Sequence, residues 1–189
     1  MNKLIIFLTI LLISACQQKK TTIQPWILNQ DDSSISIIIT KNNSVSEVAY
    51  FQQFSGRINA SGYLEIEIQL DSLETNIPIR NERIEKHLFE TELYATTRIH
   101  TQLAPKDLTI GTHTISFDVD LHGVSAILQA DVIVFEQFNK KVVTLHKPLI
   151  IDAKTFALQD GIITLKNIAK LQSINFSVPI NFILHFESE

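Results

Sequence analysis

The sequence predicts an all-β domain: an extended eight-stranded antiparallel barrel with one or two short helical excursions. Three observations carry this. Apolar residues recur at every second position over several long stretches, the mark of strands with one buried face. The chain is 45% hydrophobic with only five glycines and five prolines among 189 residues, a balance that favours long strands over loops. About eight such stretches, mostly joined by short turns, avoid exposed edges most simply by closing on themselves, and at that strand number the interior either fills with side chains or holds one small ligand, as in lipocalin-like barrels. A β-sandwich shares the periodicity. The length of the stretches Ser46 to Ile58 and Val124 to Phe138 favours the barrel.

The chain opens with one positive charge, Lys3, and an apolar run from Leu4 to Ile13, half of the roughly 20 residues a membrane-spanning helix needs. Leu12-Ile13-Ser14-Ala15-Cys16 follows; it resembles the bacterial lipobox, which implies cleavage before Cys16 and a diacylglycerol on its thiol. Residues 1–15 are thus expected to be a signal peptide, 16–25 a polar tether and 26–189 the folded domain. Cys16 is the only cysteine, so disulfides and thiol catalysis leave the list. Gln17 rather than Asp follows it, and the resemblance then implies an outer-membrane anchor facing the periplasm.

Within the domain, the first strand is expected around Ile35/Ile37/Ile39 and the second over Ser46 to Ile58. The turn Asn59-Ala60-Ser61-Gly62 leads to a third with Leu64, Ile66, Ile68 and Leu70. From Ile77 to Glu92 the apolar spacing changes to three and four, with Pro78 in the first turn, as for an amphipathic helix. Strands resume over Leu93 to Leu103, around Ile115/Phe117/Val119/Leu121, over Val124 to Phe138 and over Lys141 to Ile151. A second helix or pair of turns fits Lys154 to Leu171, where Ile162, Leu165 and Ile168 form a stripe. The last strand alternates Phe176, Val178, Ile180, Phe182, Leu184 and Phe186 with mostly polar neighbours.

Charge and motifs exclude several functions. The net charge is −4 and becomes about −5 once Lys3 is removed; the basic residues are scattered, so a nucleic-acid footprint is missing. His87, His100, His113, His122, His146 and His185 lie on different segments without metal-ligand spacing. No nucleophile elbow, phosphate loop or zinc-protease helix is present. The expectation is a protein that is not an enzyme and requires no cofactor.

Several separated motifs point one way. Leu73-Glu74-Thr75, Arg80-Asn81-Glu82-Arg83 and Lys86-His87-Leu88-Phe89 stand in order, preceded by Phe54-Ser55-Gly56-Arg57-Ile58. Leu93-Tyr94, Asp120-Leu121-His122-Gly123-Val124-Ser125, and Ile150-Ile151-Asp152-Ala153 with Phe156 come after. Together they resemble the YceI-like, polyisoprenoid-binding family from Trp26 to the last strand. Ile84-Glu85 stands where that family commonly has Arg-Asp, and Ser125 replaces a threonine. The resemblance implies an apolar chain, such as an isoprenoid, quinone tail or fatty-acyl derivative, as bound ligand. Candidate lumen residues are Phe54, Ile58, Ile66, Ile68, Leu70, Leu88, Phe117, Val119, Phe156, Val178, Ile180 and Phe182. His87 is a candidate donor to a polar head group, with Arg80 a weaker one. Expected partners are the lipid ligand and the membrane holding the anchor; a homodimer is compatible with the sequence. The rival expectation is a filled barrel that docks a membrane partner through its rim.

Overall fold

The structure, a computed structural model, describes residues 22–189; Cys16, the expected signal peptide and most of the tether lie outside the described residues. Eleven strand segments form one sheet. They are β1 (Trp26–Lys41), β2 (Val45–Phe51), β3 (Phe54–Ile58), β4 (Tyr63–Gln69), β5 (Leu73–Glu74), β6 (Thr96–Gln102), β7 (Gly111–Leu121), β8 (Val124–Gln137), β9 (Lys140–Leu145), β10 (Leu149–Asp152) and β11 (Ser177–Ser188). All pairings are antiparallel, and β1 pairs with β11 from Trp26↔Ser188 to Ile37↔Ile180. That contact closes an eight-membered ring in the order β1, β3, β4, β6, β7, β8, β9, β11, so the expected barrel is the observed one.

The extra segments arise because three of the expected strands are interrupted. The stretch Ser46 to Ile58 breaks at Gln52 and Gln53, where Ser72 supplies both its carbonyl oxygen to the Gln52 N–H (3.1 Å) and its hydroxyl oxygen to the Gln53 N–H (3.1 Å). The two halves, β2 and β3, flank the two ends of β1. Between those ends β1 carries a bulge, since four residues separate Asn29 from Ser34 while only Leu184 separates their partners on β11. The stretch Lys141 to Ile151 breaks at His146 to Pro148, where proline lacks the N–H that a ladder needs. The stretch from Leu64 breaks at the single turn Leu70–Ser72 before β5.

Both helical excursions sit at one end, here the top. The first is shorter than the expected Ile77 to Glu92: α1 (Pro78–Ile84) passes into a wide turn, Glu85–Phe89, in which the Glu90 N–H bonds the Glu85 carbonyl, and Glu90 at φ 49° stops it. The second is a short turn, Ala153–Phe156, reversed at Ala157 (φ 55°), followed by α2 (Gln159–Ile168). Residues from the two excursions and the strand tops form an upper core around Leu70, Phe89, Phe156 and Ile162. A lower core gathers Leu28, Phe54, Ile58, Ile66 and Phe186.

Candidate functional site

Between these cores the inward side chains leave a cavity of about 260 Å³. Alternation along each strand aims one residue in two at it, and eleven of the expected lumen residues meet there: Ile58, Ile66, Ile68, Leu70, Leu88, Phe117, Val119, Phe156, Val178, Ile180 and Phe182. The barrel is therefore not filled. Phe54 is a correction. It is buried but takes no part in the wall, because the β1 bulge brings the Gln30 side-chain oxygen to the Phe54 N–H (3.0 Å) and the ring is enclosed in the lower core.

Further wall residues went unmarked in the sequence although their period was visible, among them Ile99 on β6, Leu128 and Val132 on β8, and Leu149 and Ile151 on β10. The base is closed by Leu103 and Leu108 of the β6–β7 connection; Leu103 ends the expected strand Leu93 to Leu103, whereas Leu108 lies in a non-periodic segment that gave no signal.

Among the described residues only Thr97 and Asp107 bring polar side chains to the wall. Neither is free. The Thr97 hydroxyl donates to the Asp120 carbonyl oxygen (2.8 Å), and the Asp107 carboxylate accepts the Ala104 N–H (2.8 Å). With Thr97 bonded, Asp107 anchored at the base and every other wall side chain apolar, the space holds water poorly and favours hydrocarbon.

The top is covered by Leu88 and Phe89 of the wide turn and by Phe156, Leu158 and Ile162 of the second excursion. The excursions meet at Gly161, where a Cβ would lie 2.5 Å from the His87 carbonyl oxygen and 2.8 Å from the Leu88 Cα. Only glycine permits that approach. The β7–β8 hairpin is tied to the same cover: His122 Nε2 contacts the Glu90 carboxylate at 2.9 Å and its ring packs at a 51° tilt against Tyr94 with centroids 4.5 Å apart.

The expected head-group residues lie elsewhere. His87 is half-buried on the wide turn and lines no part of the cavity. Arg80 forms an ion pair with Glu47, which Lys41 also contacts at 2.7 Å; Lys41 first, then Arg80, hold the Glu47 carboxyl below its usual range. Nearer the top rim, the Ser125 hydroxyl, followed by His100 and Arg98, lowers the pKa of Asp120. Among the described residues no cluster of three His, Cys, Asp or Glu side chains forms a metal site.

A model of the YceI-like domain matches residues 26–186. The chain belongs to the YceI-like domain family. Solved structures agree with that placement. A polyisoprenoid binding domain from Saccharophagus degradans, described as implicated in plant cell wall breakdown, is 30% identical with a TM-score of 0.82, over 87% of this chain and 98% of that one. Burkholderia cenocepacia BcnA (17% identity, TM-score 0.69, 84% and 98% covered) and the Campylobacter jejuni YCEI protein (17%, 0.55, 75% and 85%) share the fold. No functionally curated protein matches the chain.

Proposed function

We propose that this YceI-like domain binds one long apolar chain, a polyisoprenoid, quinone tail or fatty-acyl derivative, inside its barrel. The observation that carries the reading is the cavity wall, apolar throughout except for Thr97 and Asp107, each already engaged by the backbone. Each methylene moved from water into such a space contributes about 0.8 kcal/mol, so long chains gain most. The 30% identical relative, a polyisoprenoid binding domain, supports the same ligand class. The ligand is cargo, and the protein carries out no chemistry on it.

Native mass spectrometry of the gently purified full chain tests this directly. The expected result is a bound lipid of one chemical class, absent after Ile180→Glu or Val178→Glu, which place a carboxylate in the wall. Repeated absence of lipid from the unmodified protein would remove the proposal. We also propose that Cys16 carries the membrane anchor, in the outer membrane facing the periplasm. Labelled palmitate supplied to growing cells should enter the full chain and be lost in Cys16→Ser, whereas labelling that survives the substitution rejects the anchor.

A further inference from the structure

The ring of strands is not equally closed all round. β8 pairs with β7 along Val124 to Val134, but its other edge pairs with β9 only from Val132 to Gln137. The last rung is the His146 N–H on the Asp131 carbonyl oxygen, at 2.8 Å. Above it the chain leaves through Pro148, and β10 pairs with β11 alone, from Leu149↔Ile180 to Asp152↔Ser177. The upper half of β8 thus faces β10 and the turn Ala153–Phe156 across a seam with no backbone ladder among the described residues.

Strand periodicity identifies the unpaired groups. Because the Asp131 carbonyl points toward β9, the N–H and C=O groups of Gln129, Ile127 and Ser125 point into the seam. Opposite them Ile150 faces Pro179, which has no N–H to exchange.

Burial changes at the same place. The inward residues Ala130, Val132 and Val134 are buried where the ladder is complete, whereas Leu128 and Ala126 are only half-buried beside the seam. Leu128 and Leu149, one from each lip, both line the cavity. On the outer face the lips carry Ile127 and Ile150, 74% and 60% exposed. Above the polar notch formed by Gln129, Asp131 and Lys147, apolar surface therefore runs from the outside of the barrel, past Ile127 and Ile150, into the lumen.

We infer that the seam between β8 and β10 is the lateral portal through which the apolar chain enters and leaves the barrel. Parting these lips breaks no backbone rung and strains only the exposed Lys147–Asp131 ion pair (2.6 Å) at the foot of the seam, while parting the completed ladders costs one hydrogen bond for each rung. Two other pairings in the ring are short, and side chains pin both: below the three rungs of β6 with β7 the Thr101 hydroxyl donates to the Ser116 carbonyl (2.8 Å), and beside the two rungs of β1 with β3 the Gln30 side-chain oxygen accepts the Phe54 N–H (3.0 Å). The portal rests on the proposed binding of an apolar chain, and the test separates the two.

All-trans-retinol is a suitable probe, being a neutral, fluorescent isoprenoid alcohol with no charge for an introduced carboxylate to repel. Stopped-flow uptake and release are compared between the unmodified full chain and the double variant Ile127→Glu/Ile150→Glu, whose changes lie outside the wall. The expected result is at least fivefold slowing of both rates with unchanged stoichiometry and Kd, and no slowing for Ile110→Glu, an exposed apolar site at the base. Should the double variant lose capacity, Ile127→Gln and Ile150→Gln singly carry the same test. Rates within twofold of the unmodified protein at normal saturation overturn the portal alone, as does slowing by Ile110→Glu instead. A chain that takes up no retinol and carries no lipid overturns the binding function and the portal together.

Discussion

Asp120 shows how single polar residues serve this fold. Its backbone carbonyl satisfies Thr97 in the wall, while its carboxylate accepts the Ser125 hydroxyl and faces His100 at 3.3 Å. Those contacts depress its pKa from the ordinary 3.8, so the stability they contribute is present above that value and is lost as pH falls through the lowered one. Ser125→Ala should therefore melt below the unmodified protein at neutral pH, with the gap closing as thermal scans move below pH 3.8; a gap that does not change with pH would contradict this. Phe156 is fully buried in the upper core, and Phe156→Ala should cost about 3–5 kcal/mol in urea denaturation. Such residues were partly legible. Alternation states which face a side chain takes but not how deep it lies: Phe54 shares a face with Ile58, yet only Ile58 reaches the cavity.

At the level of elements, strands were easier to read than their interruptions. The inward positions of Ser46 to Ile58 change parity at Gln52 and Gln53, from Ala49 and Phe51 to Phe54 and Ile58, but the break is held by Ser72 from a distant segment, and no local pattern encodes that partner. The same holds for Gly161. In sequence it is an unfavourable residue inside a helix, worth about 1 kcal/mol against alanine; in the fold it is the contact between two excursions. Gly161→Ala should reverse the usual effect of adding a helix former, because the neighbours a Cβ meets are backbone atoms with little room to yield. A loss of about 1–3 kcal/mol is expected from such overpacking, together with faster release of bound lipid, read by thermal melting and by lipid retention on dilution. An Ala variant as stable as the original would show that the cover over the cavity moves freely.

For the whole molecule, closure depends on the first and last strands. β1 meets β11 over both its halves, and the lower junction is reinforced where Lys140 contacts Asp32 and Glu187, each at 2.6 Å, while Asn29 donates to Glu187 at 2.6 Å. Hydrogen exchange should find amides of β11 below Asn181 among the slowest, since they are held by β1 and β9 together, and those of upper β8 facing the seam among the fastest in the sheet. Fast exchange along all of β8 would mean that the barrel opens elsewhere.

A wall made of hydrocarbon side chains except for Thr97 and Asp107 turns the barrel into a gauge of hydrocarbon. Over a homologous series of chains, each added methylene should tighten binding by the same factor, about fourfold from about 0.8 kcal/mol. Binding should carry a negative heat-capacity change and be nearly indifferent to salt. At the length where the chain outgrows the space between the base residues Leu103 and Leu108 and the cover at Phe156, the increments should stop, and that break marks the chain length the protein is built to hold.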